Sequence, residues 1–266
     1  CPQALLGGRE TGGMNVYVRE LARELGERGY HVDVYTRFQD ENTPQVEPIG
    51  ENARVIHLEA GPKAPYDKNK LVLHVDQFAA EIADYARSQG IQYDVLHSHY
   101  WLSGLVAHKL QKTWDVPFVQ MFHTLGEMKN SVAKNAMDLE VSARIAGERQ
   151  VMGWADRLIA ATPLEEEQMI CLYGADPRKI DVVPAGVDTE IFYPRERATV
   201  RRTLGLPDLE IPILLFVGRI ERLKGIDTLL ESAARVSRYC SGRGLQVLLG
   251  GAGGPHQAEN ADLNGG

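Results

Sequence analysis

Apolar residues recur along this chain with two periods, and each change of period marks where one element ends and the next begins. Val18, Leu21, Ala22 and Leu25 share one face of a helix that stops at Arg28-Gly29, after which residues 31–36 alternate as a strand. The pattern predicts further strands over residues 55–58, 94–100, 116–122, 157–162 and 180–183. Between them it predicts helices over 71–88, closed by Gly90, over 139–152, and from Pro163 onward. Residues 184–188 read as a turn, and residues 195–209 as a charged helix with a proline-containing connection. A new β-α-β unit opens with the strand 213–217. It passes through a helix with Ile226, Leu229, Leu230, Ala233 and Val236 on its apolar face, and returns as a strand over 246–249.

Strands alternating with helices put the chain in the α/β class, with doubly wound sheets. Two units in tandem, each with a glycine turn, predict two Rossmann-like domains with a cleft between them. Residues 1–193 form the first, whose opening strand is expected before Cys1. Residues 194–266 start the second, and roughly 60 residues after the linker are too few to complete a domain of this kind. A chain beginning at Cys1-Pro2 and stopping in a loop at Gly266 reads as a fragment. A mature lipoprotein also starts with cysteine, but that reading requires a removed signal peptide.

Composition narrows the classes. The formal charge of −7 argues against non-specific nucleic-acid binding, and no apolar run approaches the ~20 residues of a membrane span. Cys1, Cys171 and Cys240 are odd in number and far apart, which suggests neither a disulfide framework nor a zinc site and fits a reducing cytoplasm. No cofactor is expected.

Candidate chemistry gathers at loops. In the stretch from Phe216 to Gly225, an apolar strand runs into Gly218, Arg219 and Lys224 ahead of a helix, where an anion would be attracted; ordinary solvated charges are the alternative. The glycines from Gly7 to Gly13 precede the first helix without matching a Walker loop or a dinucleotide fingerprint, so a flexible turn and a phosphate cradle both remain open. Lys63, Lys68 and Lys70 read as surface charges. His97 and His99 point to one face of a strand whose carboxyl end carries Tyr100 and Trp101, the end where open α/β sheets keep ligands. No third ligand accompanies the two histidines, so a metal pair is rejected. His123 and Thr124 follow the next strand, where a histidine could position a hydroxyl or move a proton, or simply be satisfied within a loop. Arg144 and Glu148 are spaced for an i,i+4 ion pair.

Five stretches in order then carry a resemblance: Gly12-Gly13-Met14-Asn15-Val16-Tyr17; His97-Ser98-His99-Tyr100-Trp101-Leu102-Ser103-Gly104; His123-Thr124-Leu125; Val183-Pro184-Ala185-Gly186-Val187-Asp188; and Val217-Gly218-Arg219 with Lys224-Gly225. The chain resembles the retaining GT-B glycosyltransferases of group 1, family 4. Among these it is similar to inositol-phosphate N-acetylglucosaminyltransferases of the mycothiol pathway and to sucrose-phosphate synthases. The resemblance implies a nucleotide-sugar donor, expected as a UDP-sugar, and a phosphorylated sugar or polyol acceptor. It implies that Arg219 and Lys224, with amides around Gly12 and Gly13, neutralise the donor diphosphate in place of a metal ion, and that His123 contacts the transferred sugar. Lys68, Tyr100, Thr124 and Arg144 would bind the acceptor phosphate, with Asn15 at an acceptor hydroxyl; Lys63 or Lys70 could replace Lys68 in a shifted alignment. The family's paired glutamates, seven residues apart, are not reached by residue 266, so this stretch by itself is expected to bind donor poorly and to turn over little. A sugar-nucleotide epimerase with the same two-domain fold and a catalytically silent sugar-phosphate-binding module are the rival readings.

Overall fold

The computed structural model describes residues 12–133, 135–207, 211–218, 220, 224–237 and 245–250. Arg219, the glycine-containing residues before Gly12 and the glycine run after Gly250 lie outside them. The described residues fall into two compact units, Gly13–Ala185 and the residues from Gly186 onward together with Gly12. Both are mixed α/β with parallel sheets.

In the first unit, α1 (Gly13–Glu27) leads into β1 (Val32–Arg37), followed by β2 (Val46–Gly50) and β3 (Ala53–Leu58). Next come α2 (Val75–Ser88), β4 (Leu96–His99), α3 (Trp101–Trp114) and β5 (Phe118–Met121). The short α4 (Gly126–Ser131), α5 (Ser142–Trp154), β6 (Arg157–Ala160), α6 (Pro163–Tyr173) and β7 (Ile180–Val182) complete it. The helix expected over 71–88 begins instead as a 3-10 turn, Lys68–His74, capped by the Asp67 carboxylate, and the one expected over 139–152 starts and ends later. β2, α3 and the short α4 escaped the periodicity. β2 holds Pro48 and pairs antiparallel with β3 at the edge, with a register shift between Pro48 and Gly50, a setting where a strand tolerates proline; α3 starts directly at the end of a strand without a side-chain cap.

Among the described residues of this unit, the strands are ordered β1-β3-β2 in one sheet and β4-β5-β6-β7 in another. The outer strands β1 and β4 line a shared cavity of about 1510 Å³, between α1 on one side and α2 and α3 on the other. The core lies under β5 and β6, where Phe118, Phe122, Leu125, Leu158, Met169 and Val151 are fully buried. Each such side chain is worth roughly 1.5–3 kcal/mol. Phe122 and Leu125 therefore pin both ends of the segment that carries His123 and Thr124.

The second unit contains α7 (Arg197–Thr203), a parallel pair β8 (Ile213–Val217) and β9 (Gln246–Gly250), and α8 (Ile226–Ser237). Ile226 and Ala233 of α8 are buried as the pattern expects, whereas Leu230 and Val236 are exposed.

Candidate functional site

The carboxyl ends of β4 and β5 meet at a cluster of histidines. His99 Nδ1 and His123 Nε2 lie 3.0 Å apart, the rings of His97 and His99 are 4.2 Å apart, and the Tyr17 ring stands edge-on to His99 and His123. Burial lowers all three histidines, His97 and His123 to about 4 and His99 well below the ordinary value, with neighbouring imidazoles adding to the effect on His99 and His123. His97 still has an accessible face, but that face opens on the cavity. Neutral rings suit a hydrogen-bond chain, in which one nitrogen of each pair donates and the other accepts.

Two residues of this region have positive φ without being glycine, Tyr100 at 73° and His123 at 62°. Such backbone costs of order 1–3 kcal/mol and persists only where its surroundings over-determine it. At Tyr100 they do: its N–H donates to the Met121 carbonyl at 2.9 Å, and its carbonyl accepts from Gln120 Nε2 at 3.3 Å and from the Gly104 amide at 3.2 Å. Gly104 is required there, because a Cβ would come within 2.5 Å of Gln120 Oε1 and Val151 Cγ1.

Beside the histidines sits a buried cation. Arg144 on α5 is 3% exposed, its Nε donates to Glu148 Oε1 at 2.7 Å, and its Nη2 donates to the Thr124 carbonyl at 2.8 Å and to Thr124 Oγ1 at 3.3 Å. Its guanidinium lies 5.0 Å from the centre of the Tyr100 ring. Burial works against its charge, but Tyr100, Glu148 and Glu140 outweigh this and raise the Arg144 pKa. Glu148 is fully buried. It also accepts from the Gly126 amide at 2.9 Å and from the Tyr173 hydroxyl, which in turn accepts from the Glu127 amide at 2.9 Å. Arg144 Nη1 approaches Glu140 Oε1 at 3.1 Å, and Lys129 donates to the same oxygen.

Among the expected site residues, Tyr100, Thr124 and Arg144 come together and His123 adjoins them through Thr124. Lys68 opens the 3-10 turn, exposed, and its charge helps lower the Glu140 carboxyl. Asn15 is buried on α1 and lines the cavity with His97 and His99. Gly13 begins α1, while Gly12 falls with the second unit; Lys224 is exposed just ahead of α8. Sequence reasoning missed Lys129, Glu140 and Tyr173. Glu140 was within reach, since it stands four residues before Arg144 as Glu148 stands four after.

Residues 11–191, more than half of the chain, match the profile of Glycosyltransferase Family 4. The chain belongs to that family. Among the family's curated members, it is 44% identical over 231 residues to a D-inositol 3-phosphate glycosyltransferase of Geodermatophilus obscurus, covering 86% of this chain and 51% of the relative. It is 42% identical over 255 residues to another of Nocardia farcinica, covering 96% and 56%. The structure resembles a sucrose-phosphate synthase from Thermosynechococcus elongatus with a TM-score of 0.80 and 34% identity, over 93% of this chain and 59% of that one. The fold is thus that of the GT-B glycosyltransferases, of which the chain covers part. It spans between half and two thirds of the length of these relatives. Among the described residues, no helix is long and apolar enough to cross a membrane.

Proposed function

We propose that this chain serves a retaining glycosyltransferase that moves a sugar from a nucleotide-sugar, a UDP-sugar by preference, onto a phosphorylated polyol or sugar. The observation that carries the reading is the buried Arg144, held on one edge by Glu148 and set against the Tyr100 ring and the Thr124 hydroxyl. A cation costs several kcal/mol to bury, and this one is buried beside Tyr100 and Thr124, next to the carboxyl ends of β4 and β5. With Lys68, these groups supply the two cations and two hydroxyls that suit a phosphate dianion. The relatives' names, inositol 3-phosphate glycosyltransferase and sucrose-phosphate synthase, support an acceptor of this kind.

In this reading Asn15 meets an acceptor hydroxyl, and His123, neutral at physiological pH, acts as a hydrogen-bond partner of the transferred sugar. Arg219 and Lys224, with the amides of Gly12 and Gly13, stabilise the charge that develops on the diphosphate as its bond to the sugar breaks. Removing one such preorganised donor typically costs about 10²-fold in rate. On the expected division into residues 1–193 and 194–266, the acceptor groups belong to the first domain and Arg219 and Lys224 to the second; the compact units of the described residues part slightly earlier, between Ala185 and Gly186. We assign the reaction to the cytoplasm, a reducing setting that suits the exposed Cys171 thiol.

The test is sugar transfer by the full-length protein from UDP-sugars and GDP-sugars to inositol 1-phosphate, fructose 6-phosphate and their dephosphorylated forms. Transfer that requires the phosphate, and loses that requirement in Arg144→Ala, is the expected result. Equal use of phosphorylated and unphosphorylated acceptors would overturn the reading.

A further inference from the structure

The site just proposed contains a group of the wrong sign. Glu140 places a carboxylate that is only 8% exposed among the cations meant for a phosphate. Lys129 Nζ and Arg144 Nη1 both converge on its Oε1. Burial alone would raise this carboxyl, but the hydrogen bond from Lys129 and the charges of Arg144, Lys129 and Lys68 prevail and lower it. Glu140 is therefore an anion at ordinary pH, seated on Lys129 and on Arg144, the cation that also holds Thr124 and faces the Tyr100 ring, with the charge of Lys68 acting on it as well.

The two carboxylates on Arg144 are held very differently. Glu148 lies within α5, is fully buried, and is tied also to the Gly126 amide and the Tyr173 hydroxyl. Glu140 lies before α5, on a connection whose described side chains mostly face outward, with Met137 95% exposed and Val132 and Leu139 more than half exposed. Its backbone amide is tethered to Asn130 Oδ1 at 2.8 Å, and few buried contacts hold the rest of the connection. Segments with so little buried apolar contact are the ones that move at low cost.

We propose that Glu140 is an internal competitor of the acceptor's phosphate: carboxylate and phosphate use the same donors, Lys129 Nζ and Arg144 Nη1, one at a time. Lys129 is then a further phosphate ligand, and Glu148 keeps Arg144 in place while Glu140 swings away. The competition also discriminates. A phosphate brings close to two negative charges and three acceptor oxygens and can displace a carboxylate, whereas an uncharged hydroxyl cannot. This inference rests on the acceptor-phosphate reading and deepens it.

The test is titration of the full-length protein with inorganic phosphate at fixed ionic strength, followed calorimetrically, for the native protein, Glu140→Gln, Glu140→Asp and Arg144→Ala, with melting temperatures to verify folding. Removing a like charge from an anion's seat should tighten phosphate binding about tenfold in Glu140→Gln. Glu140→Asp, which withdraws the carboxylate by one methylene, should tighten it less. If Glu140→Gln does not fold, Glu140→Asp decides. Equal or weaker binding in the Glu140 variants, with loss in Arg144→Ala, would leave the acceptor site standing and overturn the competition. Binding indifferent to Arg144→Ala, or no binding by any of the proteins, would overturn both.

Discussion

Replacing Glu148 by alanine is the perturbation whose consequence can be worked most fully from the structure. Glu148 is fully buried and Arg144 only 3% exposed, so neither charge can recover its lost partner from solvent. The substitution also strands the Gly126 amide and the Tyr173 hydroxyl. Removing one member of a buried pair typically costs about 3–5 kcal/mol. Each stranded donor can cost roughly 1–3 kcal/mol, but these share one carboxylate and do not add, so we expect about 4 kcal/mol in all. For 150–250 residues, 1 kcal/mol shifts Tm by roughly 2–4 °C, which puts the fall near 10 °C. Thermal unfolding followed by circular dichroism measures it. The double variant Arg144→Leu with Glu148→Leu should regain only the part of the stability that the unpaired cation costs, because the Gly126 amide and the Tyr173 hydroxyl stay stranded, and phosphate binding stays lost. A fall of less than about 2 °C in Glu148→Ala would contradict this, since it would mean that Glu140 and the Thr124 carbonyl, which Arg144 also touches, hold the buried cation without Glu148.

Gly126→Ala should destabilise by about 1–3 kcal/mol, because the new Cβ would come within 2.5 Å of Ile145 Cδ1 and 3.1 Å of Glu148 Oε2; denaturant unfolding reads this directly. His97 and His123 titrate near 4 in the folded chain against an ordinary 6.5, so the unfolded state takes up protons first. Stability should therefore fall as pH drops from about 6.5 to about 4, and His123→Asn should flatten part of that slope in melting curves. Thr124→Val and Tyr100→Phe should each weaken a phosphorylated acceptor by about tenfold at nearly unchanged Tm, which acceptor KM values and melting curves together would check.

The architecture was legible because α/β periodicity is regular and its signals are local. The apolar face of α1, the β8 strand and the Pro163 start of α6 could all be read from spacing. β2 was hidden because Pro48 argues against a strand until an edge position is known. Within the site, the pairing of Arg144 with Glu148 followed from helical spacing. Its tie to Tyr173, 25 residues on, and to the Gly126 amide did not, because these contacts arise from how α5, α6 and the end of β5 pack together. The mutual hydrogen bond of His99 and His123 likewise depends on the parallel register of β4 and β5, which pairs His99 with Met121 two residues before His123.

The central claim is that Arg144 and its neighbours recognise a phosphate on the acceptor. The most direct measurement is the ratio of kcat/KM for a phosphorylated acceptor to that for its dephosphorylated form, in the full-length protein and in Arg144→Ala. Truncating one partner of a buried charged contact costs roughly 2–5 kcal/mol, so the variant's ratio should fall by about 100-fold, mostly through the phosphorylated acceptor. A ratio unchanged by Arg144→Ala, in a variant that still folds and still transfers sugar, would contradict it.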